Sequence, residues 1–263
     1  MGVVIRLADV VQTLERWAPP SYAESYDTVG LLWGAPHQPV EGVLTTLDIT
    51  PAVLQEAREV GATLVVCHHP IWFGPKTRLQ WEAYADRLIL ELIQAGLAVY
   101  AMHTNLDQVP EGVNFHLCKA LGLQPVGFLR PVGPGYGAGY IGEWNQPLAP
   151  PRFLAHVKEA LGAASLRFSR GPDKPIRRVA VCGGAGSFLL PEALAAGVEA
   201  FITADVPYHR FFEAHDRLWL VDVGHYESEH QIAEAMAIYL RTHFPDLPVF
   251  STRLYTNPIQ HWI

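Results

Sequence analysis

The sequence predicts an α/β protein made of two similar α/β subdomains, each with a mainly parallel central sheet. Three observations support this prediction. Helical segments end in Gly and lead directly into short apolar strands, these strands stop at polar residues, and one such unit recurs later in the chain. With 263 residues, 49% of them hydrophobic, the chain is long enough for one large domain or two small ones.

The helix–Gly–strand units follow one plan. Segment 56–61 ends in Gly61 before a β-branched strand, and segments 90–96 and 192–197 end in Gly96 and Gly197 before two more strands. The predicted strands are residues 63–67, 97–102, 200–203 and 218–223. Polar residues follow each strand, namely His68-His69, His103 with Asp107, Asp205, and His225. Ligands in open α/β sheets bind outside the carboxyl ends of the strands, so these positions are candidates for a functional site.

The first and third units can be laid over each other without a gap. Gly61 then falls on Gly197 and His69 on Asp205, and the preceding strands, residues 42–48 and 178–183, correspond as well. This pattern indicates a weak internal duplication. The Gly/Pro-rich stretch 131–142 is the best candidate for the join, which gives a first half of residues 1–130 and a second half of residues 131–263.

Composition excludes several classes of function. A formal net charge of −7 argues against direct nucleic-acid binding through a broad basic surface. The apolar runs are too short to span a bilayer, and charged residues interrupt the N-terminus where a signal peptide would be apolar, so no membrane role is expected. Three widely spaced cysteines, each in or near an apolar stretch, indicate buried free thiols in a reducing cytoplasm.

His68-His69 is the most informative local feature. Neighbouring residues on a regular strand point to opposite faces, so both histidines can face one site only where the strand ends. Pro70 forces the backbone out of the sheet at that point. Neutral imidazole binds zinc, iron or manganese well, which makes the pair a candidate for metal binding. The alternative is that one ring packs in the core and the other is solvated.

Two further segments supply possible ligands. Asp107 follows the next strand, although Asn and Asp at such a place often only form a turn. His225 begins an amphipathic helix, and Glu229 lies four residues later on the same face. A capping role is the alternative for Ser228 and Glu229. Three histidines and two carboxylates exceed the ligands that one open catalytic ion needs, so the set predicts two divalent ions sharing a carboxylate bridge.

Three motifs closely resemble a known family. They are Cys67-His68-His69-Pro70, His103-Thr104-Asn105-Leu106-Asp107 and Gly224-His225-Tyr226-Glu227-Ser228-Glu229. Similar segments run nearly end to end, from Tyr26-Asp27-Thr28-Val29-Gly30-Leu31 to Thr256-Asn257-Pro258. The chain resembles the NGG-interacting-factor-three-like proteins, which are also known as GTP cyclohydrolase 1 type 2 homologues or dinuclear metal centre hexameric proteins.

The resemblance implies that the metal ligands are His68, His69, Asp107, His225 and Glu229. It further implies a site in the cleft between two similar α/β domains, a toroidal homohexamer, and a short form that lacks the inserted middle domain of larger relatives. Two positions depart from the family pattern. Ala204 stands where the family usually has Gly, and Phe115 stands where it usually has Asp, and neither is a ligand.

Other candidates have weaker support. Asp205 and His209 could orient ligands or handle protons, or they could be an ordinary strand-end Asp and a surface His. His103 is either a group behind the ligands or a turn residue. Residues 183–187, rich in Gly, favour a tight turn over a phosphate cradle. Cys67 is expected to pack rather than react. Lys76 and Arg78 could meet a phosphate group but are typical of a solvated loop.

The leading functional hypothesis is metal-assisted hydrolysis of a nucleotide or another phosphorylated small molecule. The family name directs attention to the imidazole ring of a purine, and a phosphoester suits the same site equally well. The sequence does not distinguish Zn, Mn and Fe as the metal. The alternative function is non-enzymatic, as a metal-binding scaffold, a metallochaperone or a regulatory interaction protein.

Overall fold

The computed structural model of the protein describes residues 4–262. The chain folds into two compact units. The first contains the chain up to Leu106 together with Ile232–Thr256, and the second contains Asp107–Gln231 together with the residues from Asn257 onward. Each unit has its own sheet, so an α/β protein with two sheets is confirmed.

The division into units differs from the predicted halves, 1–130 and 131–263. The last helix and strand of the chain belong to the first unit, whereas the segment after Leu106 belongs to the second. Residues 131–142, the predicted join, lie within the second unit. They lie in a long hairpin of the second sheet, whose loop is Pro134-Gly135, with Gly135 at φ +80°. Pro followed by a Gly with positive φ is typical of a tight turn, so these residues close a hairpin.

The first unit contains a five-stranded sheet with strand order β1-β4-β3-β2-β11. Its strands are β1 (Gly30–Trp33), β2 (Val43–Thr46), β3 (Leu64–Cys67), β4 (Ala98–Ala101) and β11 (Val249–Ser251). Only the pairing of β1 with β4 is antiparallel among its described pairings. Its helices are α1 (Leu7–Trp17), α2 (Pro51–Glu59), α3 (Tyr84–Gln94) and α10 (Ile232–His243), and the short helix α4 (Thr104–Asp107) ends where the second unit begins.

The second unit contains a six-stranded sheet with strand order β5-β6-β8-β9-β10-β7. Its strands are β5 (Gln124–Gly133), β6 (Tyr136–Leu148), β7 (Arg167–Ser169), β8 (Ile176–Val181), β9 (Ala200–Thr203) and β10 (Trp219–Asp222). The central strands β8, β9 and β10 are parallel, and the remaining pairings are antiparallel. Its helices are α5 (Val113–Ala120), α6 (Pro150–Ala160), α7 (Leu190–Ala195), α8 (Arg210–Ala214) and α9 (His225–Glu229).

The internal duplication extends to the pairing register of the strands. In the first sheet Val43 pairs with Leu64, and in the second sheet Val179 pairs with Ala200, so both partners are shifted by 136 residues. Gly61 and Gly197 end the corresponding helical segments with φ of +69° and +65°. Glycine adopts this conformation without steric cost and closes the helix before the strand.

Apolar packing on both faces fixes each sheet. In the first unit, Leu44, Val65 and Val99 are fully buried in one cluster with residues of α2 and α3. In the second unit, Val181 and Ile202 pack with residues of α5 and α6, whereas the intervening residues of the same strands pack with α7. Strands that are buried on both faces read as continuous apolar runs, which is why the sequence reveals them. No helix of residues 4–262 has both the length and the apolar character needed to cross a membrane.

Candidate metal centre

Three histidines meet at the carboxyl edge of the first sheet. His68 and His69 follow β3, and His103 follows the adjacent parallel strand β4. The ring centroids of His68 and His69 are 4.9 Å apart, and His103 lies 5.2 Å from the former and 5.5 Å from the latter. One donor nitrogen of each ring lies within 4.8 Å of the other two. The end of the strand thus lets the two neighbouring histidines face a common point.

An oxygen acceptor fixes each of these three rings through Nδ1. His68 Nδ1 lies 2.7 Å from the carbonyl oxygen of Met102, and His69 Nδ1 lies 2.7 Å from Asp48 Oδ1. His103 Nδ1 lies 2.9 Å from Asp27 Oδ1. A carbonyl or carboxylate only accepts, so the proton resides on Nδ1 and the lone pair on Nε2. This arrangement is typical of histidines that bind a metal through Nε2.

The two carboxylates behind these rings are themselves held in place. Asp48 also accepts a hydrogen bond of 2.8 Å from Thr256 Oγ1. The side chain of Asp27 is fully buried and accepts from the backbone and hydroxyl of Thr104. Burial alone would raise the pKa of Asp27, but the hydrogen bonds from His103 and Thr104 outweigh it and lower the pKa to about 2. Asp27 is therefore an anion at neutral pH despite its burial.

The second unit places a histidine and a carboxylate side by side. His225 begins α9, and its Nε2 lies 3.1 Å from Oε2 of Glu229, four residues later. Glu229 is buried, whereas one third of the His225 side chain is exposed. On the other side of the ring, Nδ1 lies 2.6 Å from Asp205 Oδ2, and Asp205 follows the adjacent parallel strand β9. Asp205 therefore holds the His225 ring through Nδ1.

The negative charges around His225 favour a cation at this point. Burial by itself lowers the pKa of His225, but the hydrogen bonds and charges of Asp205 and Glu229 raise it more, to about 11. The same interactions lower the pKa of Asp205. Asp107 lies in the same anionic surroundings as Glu229. Burial raises the pKa of the nearby Cys182 thiol, and the charges of Asp107 and Glu229 raise that pKa further. The second unit thus contributes an imidazole and two carboxylates to an anionic region.

Asp222 joins the two loops that carry Asp205 and His225. It is the last residue of β10 and is 5% exposed. Its Oδ2 accepts a hydrogen bond of 3.0 Å from the backbone nitrogen of Val206, and its Oδ1 accepts one of 3.2 Å from that of Gly224. Arg167 binds the same carboxylate. One buried carboxylate therefore fixes the backbone beside both Asp205 and His225.

The glycine-rich segment after β8 forms a tight turn. The backbone nitrogen of Gly183 donates to Asn114 Oδ1, that of Gly184 to Ser228 Oγ, and that of Gly186 to the carbonyl oxygen of Gly184. A phosphate cradle needs these N–H groups for the ligand, so the turn interpretation is the one that the contacts favour. Gly184 also needs to be Gly, because a Cβ there would lie 2.5 Å from Glu229 Oε1.

The remaining candidates lie as follows. His209 is exposed, and its described ring contacts are with Tyr208 and Phe212. Cys67 is buried, and burial raises the pKa of its thiol, which makes it unreactive. Lys76 forms an ion pair with Asp86, and Arg78 is exposed. Ser228 accepts from Gly184 and donates to the carbonyl oxygen of His225, so it connects the glycine turn to α9.

The helix predicted from His225 onward is interrupted. α9 ends at Glu229 and α10 begins at Ile232, where the chain passes into the first unit. Asp27, Asp48 and Asp222 were not among the candidates predicted from the sequence, although each holds a histidine ring or a strand-end loop. Their common signal is a carboxylate in or just outside a predicted strand or within a family-like motif. Strand-end position points to Asp48 and Asp222, and the family-like segment 26–31 contains Asp27, whose contact with His103 only the structure shows.

The donor set fits divalent transition metals. Imidazole Nε2 atoms and carboxylate oxygens suit zinc, iron and manganese, and the acceptors on Nδ1 raise the basicity of each ring. These buried and half-buried groups could therefore hold a metal ion. The fold and its site define an α/β protein of two related units, with histidines and carboxylates concentrated at the carboxyl ends of the strands.

Comparison with known proteins gives this class its family. The sequence model of the Duf34/NIF3 (NGG1p interacting factor 3) family matches residues 5–258, and the chain belongs to this family. A protein of Streptomyces coelicolor named GTP cyclohydrolase 1 type 2 homolog is 34% identical over 96% of this chain and 93% of its own length. A Nostoc protein of the same name is 35% identical over 90% of this chain and 92% of its own length.

Solved structures agree with this assignment. A hypothetical protein of Staphylococcus aureus superposes with a TM-score of 0.92 at 30% identity, covering 98% of this chain and 100% of that one. A Bacillus cereus protein related to NIF3 has the same TM-score at 22% identity, covering 99% of this chain and 100% of that one, which shows the shared fold. The family resemblance seen in the motifs is thereby confirmed.

Proposed function

We propose that the protein binds two divalent metal ions per chain and hydrolyses a nucleotide or another phosphorylated small molecule. The proposed ligands are His68, His69, Asp107, His225 and Glu229. The observation that carries the proposal is the fixed orientation of all three histidines, each held at Nδ1 by an oxygen acceptor. An acceptor at Nδ1 fixes both the ring and its proton, and this arrangement supports metal binding through Nε2.

The protein's residues would divide the work between binding and orientation. His68, His69 and His225 would bind through Nε2, and Asp48 and Asp205 would hold two of these rings. The buried Glu229 carboxylate already contacts His225 Nε2, which supports it as the bridging ligand. When bound, paired ions lower the pKa of a water molecule and polarise the bond under attack.

The proposed substrate class rests on the name of the relatives. Their name, GTP cyclohydrolase 1 type 2 homolog, supports a nucleotide whose purine ring is opened by hydrolysis. A phosphoester would use the same ions equally well. The described glycine turn does not offer a phosphate cradle, so the ions themselves would bind the phosphate groups or the ring.

Turnover of defined substrates tests the hydrolase. The protein loaded with Zn²⁺, Mn²⁺ or Fe²⁺ is assayed with GTP and a panel of phosphoesters, beside the variant His69→Ala. We expect turnover by the wild type and a loss of at least about 100-fold in the variant, because an essential ligand is removed. Absence of turnover across the panel, with both ions bound, would contradict the hydrolase and favour a metal-binding scaffold or metallochaperone.

We also propose a toroidal homohexamer in a reducing cytoplasm. The family resemblance supports the hexamer, and the three buried free cysteines agree with a reducing compartment. Light scattering coupled to size-exclusion chromatography tests the assembly. A mass close to six times 29.1 kDa is expected, and a stable monomer would contradict it.

A further inference from the structure

We infer that an aromatic cluster of Tyr208, His209 and Phe212 is a stacking surface for the nucleobase of the substrate. The cluster belongs to the second unit. The inference rests on the proposed function and deepens it, because base stacking distinguishes a nucleotide from a simple phosphoester.

The aromatic cluster begins three residues after Asp205, the residue that holds the His225 ring. Three residues span at most about 11 Å, so the cluster lies beside the carboxyl edge of the second sheet. Asp205 has a φ of +49°, a left-handed conformation that turns the chain after the end of β9. A ligand bound at this edge would therefore have aromatic side chains within its reach.

The side chains of the cluster are turned outward. Tyr208 and Phe212 are 70% and 64% exposed, and His209 is exposed as well. Other apolar residues of the same segment point inward, because Val206 is buried and Phe211 packs against the apolar core of the second unit. The segment thus has a buried side and an outward side, and the outward side carries the three rings.

The rings of the cluster support one another. The centroids of Tyr208 and Phe212 lie 5.3 Å apart at an interplanar angle of 80°, and His209 lies 5.3 Å from the former and 6.4 Å from the latter. An edge-to-face pair engages only part of its ring faces, so aromatic surface stays open to a flat ligand. Every nucleobase has a π-face that can stack on such a surface.

Contacts with β7 fix the backbone that carries the cluster. Arg167 Nη2 donates to the carbonyl oxygen of Val206 at 3.2 Å, and its guanidinium carbon lies 5.1–6 Å above a ring of the same segment, 5.7 Å from the centroid of Phe211. Ser169 Oγ donates to the carbonyl oxygen of Phe211 at 2.9 Å. A segment that is fixed before the ligand binds loses little conformational entropy on binding.

The size of the cluster favours a small ligand over another protein chain. An aromatic side chain buries about 150–250 Å² when it is covered, whereas each partner in a standard protein interface buries about 800 Å². Arg210 and Glu213 form an ion pair of 2.8 Å on α8, and both side chains are more than one third exposed. These charges interrupt the apolar surface along the helix.

Ligand binding to the full-length protein loaded with Zn²⁺ tests the inference. Isothermal titration calorimetry measures the affinity for GTP and for tripolyphosphate, which has the phosphates but no base. Where a ligand is turned over, its KM takes the place of Kd. The variants are Tyr208→Ala, Phe212→Ala and the conservative Tyr208→Phe, and Tyr84→Ala, at an exposed tyrosine of the first unit, is the matched control. Far-UV circular dichroism verifies folding, and light scattering measures the mass.

We expect Tyr208→Ala and Phe212→Ala each to weaken the binding of GTP by about 5–150-fold, the loss typical of one base–aromatic stack. The affinity for tripolyphosphate should not change. Tyr208→Phe should bind GTP like the wild type because it keeps the ring, and Tyr84→Ala should do so because it lies outside the cluster.

Unchanged affinity for GTP in the folded Ala variants, or an equal loss for tripolyphosphate, would overturn this inference alone. A lower mass in either Ala variant would assign the cluster to a contact between copies of the chain and would also overturn it. A wild type that binds neither ligand would contradict the proposed function as well.

Discussion

At the scale of single residues, the site depends on acceptors that stand behind the imidazoles. In His68, His69 and His225, a carbonyl or a carboxylate holds Nδ1, and in His225 the Nε2 atom also lies 3.1 Å from Glu229 Oε2. The identity of the donor residue therefore accounts for only part of the metal affinity that we expect. The remainder depends on the partner that fixes the ring and its proton.

The variant Asp48→Asn tests this dependence directly. Asn keeps the size of Asp and one oxygen acceptor but lacks the charge that increases the basicity of His69. We expect the affinity for one metal ion to fall by about 10–100-fold, with little change in the free energy of unfolding. Isothermal titration with Zn²⁺ measures the affinity. Asp246→Asn, at an exposed position of the same unit, is the control. Equal affinities in the two variants would contradict the role of Asp48.

Gly184 allows a second prediction at this scale. Its φ is +58°, and a Cβ would lie 2.5 Å from Glu229 Oε1 and 3.2 Å from His225 Nε2. Gly184→Ala should therefore displace both ligand atoms and reduce metal affinity by at least about tenfold. The backbone strain should also lower the free energy of unfolding by about 1–2 kcal/mol.

Gly197→Ala separates these two effects. Gly197 has a similar φ of +65°, but a Cβ there would have no neighbour within 4 Å. It should show a similar loss of unfolding free energy in urea titrations and wild-type metal affinity. If Gly184→Ala keeps full affinity, the predicted approach to Glu229 is wrong.

At the scale of elements, the carboxyl ends of parallel strands gather the chemistry. Neighbouring parallel strands β3 and β4 bring His69 and His103 to one edge, and β9 and β10 do the same for Asp205 and His225. The sequence predicted these strands within one or two residues, because strands buried on both faces form apolar runs that stop where polar residues begin. Strand-end placement of the proposed ligands was predictable for this reason.

The elements that the sequence did not reveal have their own physical cause. β5 and β6 contain several Gly and Pro residues, which are typical of a linker, yet they pair along most of their length. Pairing with a neighbouring strand outweighs local preference, and pairing partners are not visible in a local pattern. Asp27 was missed likewise, because its contact with His103 spans 76 residues.

Asp222 carries the prediction at this scale. Its buried carboxylate accepts from Val206 and Gly224, so Asp222→Ala would leave backbone donors without this acceptor. We expect a loss of about 1–3 kcal/mol in the free energy of unfolding for the buried Val206 amide alone, measured in urea. Metal affinity should also fall, because the loops of Asp205 and His225 lose their common anchor.

Asp222→Asn is the matched comparison for Asp222→Ala. It keeps one oxygen acceptor and the size of the side chain, so it should lose less stability than the Ala variant. Wild-type stability in both variants would show that the carboxylate does not anchor the two loops.

At the scale of the whole molecule, two related units share one strand register but carry different side chains. Position 69 is His in the first unit, and the corresponding position 205 is Asp in the second. Of the five proposed ligands, the first unit contains two histidines, and the second contains one histidine and two carboxylates. The sequence predicted the duplication but not the boundaries, because the final helix and strand return to the first sheet, where β11 pairs with β2.

The number of metal ions per chain tests the central claim most directly. Crystals of the protein loaded with Zn²⁺ are measured at wavelengths above and below the zinc absorption edge, and elemental analysis of the same preparation gives the stoichiometry. We predict two anomalous peaks per chain, each bound by atoms of the five proposed ligands His68, His69, Asp107, His225 and Glu229. A single ion at full occupancy, or ions bound away from these five ligands, would contradict the dinuclear centre.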